Sequence, residues 1–145
     1  MKIGIANDHR GMEHNQKITK ILRDLGYDVI NYGPEEVGEY DYPDFAFKLG
    51  EAIVKGEIDR GILICRTGIG MSIACNKVKG IRCAKVDSLL DAELCRIDNN
   101  ANVITINYEF AEEKLKEIIE TFLKTEFSTH PRHQRRVSKI DNYDS

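Results

Sequence analysis

The chain has no tryptophan, only 3 prolines, no internal repeat and no low-complexity segment. No apolar stretch approaches the roughly 20 residues that a bilayer-spanning helix needs, so no membrane association is expected. Charge of neither sign dominates: 21 basic side chains face 24 acidic ones, and a net charge of -3 gives no reason to expect a nucleic-acid partner. No Cys-x-x-Cys pair occurs among Cys65, Cys75, Cys83 and Cys95, which argues against a zinc site and a thioredoxin-like motif. No secretory signal precedes the strand pattern that opens at Lys2, so the expected compartment is the cytoplasm, with the thiols free.

What is present reads as one globular domain over residues 1–145, long enough to bury a core. Short apolar runs rich in β-branched residues alternate with segments of helical period. The runs are 2–6, 28–31, 61–65, 82–86 and 103–106. The helical segments are 13–25, 44–55, 70–77, 88–97 and 111–124. Asp44 and Ser88 stand where helix caps belong, and Gly26 where a helix stops. Ile18, Ile21, Leu22 and Leu25 form the inward stripe of the first helix, and Leu115, Ile118, Ile119 and Phe122 that of the last. Residues 128–145 form a polar tail, basic up to Lys139, in which Pro131 is placed to start a further helix. Strict alternation of strand and helix predicts an α/β, Rossmann-like, doubly wound five-stranded parallel sheet. In such folds ligands bind beyond the carboxyl ends of the strands, where Asp8-His9, Cys65-Arg66, Asp87 and Asn107-Tyr108 gather.

The segment Gly61-Ile62-Leu63-Ile64-Cys65-Arg66-Thr67-Gly68-Ile69-Gly70 carries the most chemistry. A strand ends on a cysteine, and a glycine turn beside it opens a helix whose free N–H groups suit an anion. A cysteine closing a buried strand is commonly a small hydrophobe. Here the helix start and the adjacent Arg66 favour thiolate over thiol, predicting a lowered pKa. Cys75, Cys83 and Cys95 lack that setting and read as packing residues. The turn Thr67-Gly68-Ile69-Gly70 follows the third strand and has Ile73 where a dinucleotide fingerprint needs its last glycine.

Other groups have two readings each. Asp8-His9 is either a helix cap or a ligand for sugar hydroxyls and phosphate. Arg132-His133-Gln134-Arg135-Arg136 is either a solvated run or, in a helix, a phosphate clamp of Arg132 and Arg136 four residues apart. Asp98-Asn99-Asn100 is a helix stop or part of a site. His14 and His130 have no evident partner and read as surface residues.

With these segments in order, the chain resembles the sugar-phosphate isomerase family of ribose-5-phosphate isomerase B and the galactose-6-phosphate isomerase subunits. The matching stretches include Asp8-His9, Asp41-Tyr42-Pro43, Gly61–Cys65, Thr67–Gly70, Ser72-Ile73-Ala74, Asn76-Lys77, Gly80-Ile81-Arg82, Asn99, Asn102-Val103, Arg132-His133-Gln134 and Arg136-Val137. The resemblance implies aldose–ketose isomerisation of a sugar phosphate through an enediolate, without metal or cofactor. It gives Cys65 the role of base, and the N–H groups of Arg66, Thr67, Gly68, Ile69 and Gly70 that of the enediolate cradle. It assigns Asp8, His9 and Asn99 to the sugar, and Arg132 and Arg136 to the phosphate. It also implies a homodimer or tetramer with the site at the subunit interface and the tail packed on a partner.

Three positions depart from that pattern: Asp98 replaces a ring-opening histidine, Arg66 a glycine, and Glu109 a phosphate-binding arginine. Asp98 is expected to act in ring opening and Arg66 to share recognition and help ionise Cys65. The expected substrate is ribose 5-phosphate or ribulose 5-phosphate, with a galactose or allose 6-phosphate as the alternative. A non-catalytic sugar-phosphate-binding protein is the alternative of a different class.

Overall fold

The computed structural model describes residues 1–143. Its elements run β1 (Lys2–Asn7), α1 (Met12–Asp24), β2 (Asp28–Asn31), α2 (Tyr42–Val54), β3 (Arg60–Ile64) and α3 (Ile69–Cys75). They continue β4 (Cys83–Lys85), α4 (Leu89–Ile97), β5 (Val103–Ile106), α5 (Glu112–Lys124) and α6 (Pro131–Asp141). The five strands form one parallel sheet in the order β2-β1-β3-β5-β4. This is the doubly wound α/β architecture that the alternation predicts.

Strand side chains alternate between two buried faces, which is why the strands read as continuous apolar runs. Ile3, Ile5, Ile62, Ile64, Ile104 and Ile106 point to a core shared with α1, α4 and α5, where Phe122 is fully buried. Burying a side chain of that size contributes about 2–3 kcal/mol. Ala6, Leu63, Cys65 and Val103 point the other way, into a core closed by Leu49 of α2 and Met71 of α3. Gly61 lets α2 sit close to the sheet, since a Cβ there would meet Leu49 Cδ2 at 2.3 Å. The thiol of Cys65 therefore belongs to the thinner α2/α3 face, which carries just two helices.

Several boundaries differ from the sequence reading. β3 ends at Ile64, leaving Cys65 one residue beyond it, and α3 begins at Ile69. Asp44 is not the cap of α2. Asp41 takes the N-cap position because Pro43, with its fixed φ and missing N–H, fits the first turn. Ser88 caps α4 as expected, its Oγ accepting from Asp91 N at 3.1 Å. Gly26 ends α1 with φ +91°.

Pro131 starts α6, and His130 is its N-cap, with Nδ1 accepting from Arg132 N at 3.0 Å. His130 thus has a partner that the sequence reading missed. The tail helix docks on its own chain through buried Val137 and through Arg82 Nη1 to Asp141 Oδ1 at 2.7 Å. The last two residues of the tail segment lie outside the described residues.

Candidate active site

From β1 the chain winds outward to β2, and from β3 it winds the opposite way to β5 and β4. The reversal leaves a crevice between the ends of β1 and β3, where doubly wound folds hold their ligands. Asp8 follows β1 and Cys65 follows β3 at that point. A cleft of about 480 Å³ opens there, bordered by Asp8, Tyr42, Cys65, Arg66, Thr67 and Ile69. That volume suits a small phosphorylated metabolite.

Cys65 is 6% exposed, and its N–H donates to Ile106 O at 3.1 Å, which fixes the residue against β5. Burial pushes its thiol up to about 11, and the negative charge of Asp8 adds to the effect. The backbone N–H groups of Gly68, Met71 and Thr67 are directed at the sulfur and pull the other way, but burial prevails. The expectation of a depressed thiol pKa is therefore corrected. Helix-end amides do reach the sulfur, yet the apolar α2/α3 core withdraws it from the water that would stabilise a thiolate.

The turn has little freedom. Gly68 has φ +79°, and a Cβ on it would lie 2.5 Å from Thr105 Oγ1. Thr67 Oγ1 accepts from Ile69 N at 3.2 Å, and Ser72 Oγ donates to Ile69 O at 2.8 Å. Gly70 leaves room for Tyr42, whose ring a Cβ would meet at 2.6 Å. Tyr42 thereby walls the cleft, a role the sequence reading did not assign.

Asp8 is not a helix cap, since Gly11 occupies the N-cap of α1. Its Oδ1 accepts from Arg10 N at 3.0 Å and from the hydroxyl of Tyr108. Burial and the bond to Asp8 raise the Tyr108 phenol far above its ordinary value. His14 is half-buried beneath it, with Nε2 bonded to Tyr108 O at 3.0 Å and the rings 4.9 Å apart. His14 is thus a packing partner of the site, and its reading as a surface residue is corrected. His9 is exposed and lines a neighbouring hollow with Tyr40 and Asp41.

Asn7 and Asn15, both buried, support the end of β1. Asn15 Nδ2 donates to Asn7 Oδ1 at 2.7 Å and to Asn31 Oδ1 at 3.1 Å, while Asn7 Nδ2 donates to Asp8 O at 2.7 Å.

Asp98, Asn99, Arg132 and Arg136 lie elsewhere. Strands β4 and β5 are parallel, so α4 must carry the chain back from the carboxyl edge to the amino edge. Asp98, the C-cap of α4, and exposed Asn99 consequently sit near the start of β5. Arg96 holds the following turn by donating Nη1 to Asn100 Oδ1 at 2.8 Å and Ala101 O at 2.7 Å. Here α6 packs, with His133 Nε2 3.6 Å from Asp98 Oδ1 and with Arg132 and Arg136 exposed. A strand of five residues spans roughly 16 Å. Within one chain the structure thus gathers Asp8, Cys65, Arg66 and the turn at one sheet edge, and Asp98, Asn99 and the arginines at the other.

A Rossmann-like sheet with a cysteine and a backbone-amide cradle at its switch point describes an α/β protein built for a small anionic ligand. Residues 3–140 match the ribose/galactose isomerase family model, and the chain belongs to that family. It is 44% identical over 146 residues to the putative sugar phosphate isomerase YwlF of Bacillus subtilis, covering 99% of this chain and 97% of that protein. It is 36% identical over 140 residues to ribose-5-phosphate isomerase B of Escherichia coli, covering 96% and 93%. The structure of ribose-5-phosphate isomerase B from Mycoplasma genitalium with bound ribulose 5-phosphate superposes with a TM-score of 0.91 at 40% identity, covering 98% and 95%. The protein is a sugar-phosphate isomerase, and the alternative of a non-catalytic binder gives way to an enzyme.

Proposed function

We propose that the protein interconverts ribose 5-phosphate and ribulose 5-phosphate through an enediolate, with Cys65 as the base and no metal. The observation that carries this reading is the Cys65 sulfur at the switch point, faced by three backbone N–H groups and by Asp8. The thiolate takes the proton from C2 of the open-chain aldose, and the C2–H electron pair forms the enediolate. Charge then develops on O1, where the N–H groups of the 66–70 turn act as preorganised donors. A proton then passes from the O2 hydroxyl to O1, and as the C2=O forms, the C1=C2 pair takes the proton back from the Cys65 thiol at C1, which gives the ketose and restores the thiolate. Asp8, held by Tyr108, and exposed His9 are placed to bind sugar hydroxyls.

Asp98, Asn99, Arg132 and Arg136 join this cleft only if a second copy supplies them. The reading therefore requires a homodimer or a larger even assembly, with the amino edge of one chain over the carboxyl edge of the next. Ile69 and Ile73, 52% and 62% exposed beside the cleft, give that contact an apolar centre. In this assembly Arg132 and Arg136 hold the phosphate, Asn99 holds the sugar, and Arg66 contributes a further cation. Free cysteines suit a reducing, cytoplasmic setting. A hexose 6-phosphate is the second reading, favoured by the family's description, which names galactose beside ribose.

The test is proton exchange. In deuterated buffer the wild-type enzyme is expected to place solvent deuterium at C1 of ribulose 5-phosphate, and Cys65→Ala to abolish this while binding persists. Unchanged exchange in Cys65→Ala would remove the cysteine from the chemistry.

A further inference from the structure

Strand β5 reads Val103-Ile104-Thr105-Ile106, and Thr105 is its one polar side chain, 1% exposed. Among the described residues, Thr105 Oγ1 is the one buried hydroxyl with no hydrogen-bond partner. The sheet has no need of it. Thr105 is paired with Leu63 of β3 on one side and Lys85 of β4 on the other, and its carbonyl accepts from Val86 N at 3.1 Å. Valine is β-branched like threonine and would fill the same place in a strand with no polar atom to bury. An unpaired buried hydroxyl costs stability and calls for an explanation.

The explanation lies in the turn that faces the thiol. Ile104 and Ile106 point into the core shared with α1, α4 and α5, so by strand alternation Thr105 points to the α2/α3 face, where Leu63 and Cys65 lie. Gly68 rests on it: the position a Cβ would occupy is 2.5 Å from Thr105 Oγ1 and 3.2 Å from Lys85 Cγ. A glycine hydrogen therefore points at Oγ1, the arrangement of a weak C–H···O contact. The N–H of the same glycine is directed at the Cys65 sulfur. Gly68 has φ +79° and belongs to the residue type with the widest backbone freedom, so its N–H needs a stop to keep one direction. An oxygen is smaller than a methyl group. Oγ1 lets the turn settle closer to β5 than a valine would, and holds it there.

Resting on the isomerase reading above, we propose that Thr105 is a positioning residue for the isomerisation, its Oγ1 setting the depth of Gly68 against β5 and so aiming the Gly68 N–H at the Cys65 sulfur. That donor acts on charge. It stabilises the thiolate and the enediolate formed beside it, so moving it out of line slows the chemical step and leaves substrate binding alone.

The test sets Thr105→Val against Thr105→Ser. Valine puts a methyl where Oγ1 stood and presses the turn outward, whereas serine keeps the oxygen and gives up a methyl. Thr105→Val should lower kcat for ribose 5-phosphate about tenfold and change KM by less than about twofold, with a urea midpoint no lower than wild type. Thr105→Ser should do the reverse, keeping kcat within about threefold of wild type while the lost methyl lowers the midpoint. Rate and stability then move in opposite directions, which packing alone does not produce. Wild-type kcat in Thr105→Val, a midpoint that falls together with its kcat, or a serine variant as slow as the valine one would each overturn the role of Thr105. Deuterium exchange at C1 of ribulose 5-phosphate separates the two readings. Wild-type enzyme that exchanges none would overturn the isomerase reading, whereas equal exchange in wild type and Thr105→Val would overturn the role of Thr105 alone.

Discussion

The hydroxyl of Tyr108, just beyond β5, donates to Oδ1 of Asp8, just beyond β1. Between those two strands lies β3, with Cys65 at its end, so three adjacent strand ends share one small polar cluster. Burial and Asp8 hold the phenol protonated well past neutral pH, which makes Tyr108 a permanent donor that fixes the carboxylate. Tyr108→Phe removes that donor and leaves Asp8 free to turn. The expected result is a KM for ribose 5-phosphate raised about 5- to 10-fold, corresponding to the loss of roughly 1 kcal/mol, with kcat little changed. Steady-state kinetics on purified protein checks it.

Cys65 gives a prediction with a definite sign. Its thiol is pushed up to about 11 by burial, so the thiolate fraction of the resting protein grows with pH through the whole neutral range. Alkylation of Cys65 by iodoacetamide, followed by peptide mass spectrometry, should accelerate about tenfold per pH unit from neutrality upward. A plateau reached near neutrality would contradict it. The raised value also favours the neutral thiol in the folded chain. Its stabilising contribution is thus full below the unfolded thiol's pKa of about 8.5 and disappears as pH climbs towards about 11.

Two glycines of the turn should respond differently to the same substitution. Gly68→Ala meets both a φ of +79° and the buried Thr105 Oγ1 at 2.5 Å, and β5 cannot yield. A loss of about 2 kcal/mol or more, read from the urea midpoint, is expected, together with collapse of activity. At Gly70 a new Cβ would press on the exposed Tyr42 ring, which can swing aside. Gly70→Ala should keep stability within about 1 kcal/mol and reduce kcat/KM, since the ring then encroaches on the cleft.

Arg66 lies exposed on the rim of the cleft, where a guanidinium can reach a phosphate or a polyol. Arg66→Gly should raise KM about tenfold with a smaller change in kcat. Kinetics indistinguishable from wild type would remove Arg66 from recognition.

Much of this was legible in the sequence for physical reasons. Apolar runs such as Ile62-Leu63-Ile64 are strands buried on both faces, and strict alternation with amphipathic helices leaves a parallel sheet as the solution. The strand–cysteine–glycine order placed Cys65 and its turn at the ligand edge without further information. The rest depends on contacts distant in sequence. Tyr108 and Asp8 are 100 residues apart, and the Asn7–Asn15–Asn31 network joins isolated polar residues inside two strands and a helix. No spacing rule announces either. The sequence points to the wrong sign for the Cys65 thiol because local amides are visible in a motif, whereas burial against Leu63 and Met71 is a property of the packed core. Asp44 has the residue type of a cap, but Pro43 claims the first turn of α2 and moves the N-cap to Asp41.

The separation of Cys65 and Asp98 at opposite sheet edges makes the shared site the central claim, and mixed oligomers test it most directly. Cys65→Ala and Asp98→Asn subunits, each nearly inactive on ribose 5-phosphate alone, are unfolded together, refolded and assayed. A mixed dimer holds one site with both substitutions and one site with neither. Random pairing should therefore restore about a quarter of wild-type activity. Activity no greater than the sum of the two parents, with mixed dimers shown to have formed, would contradict a site built from two chains.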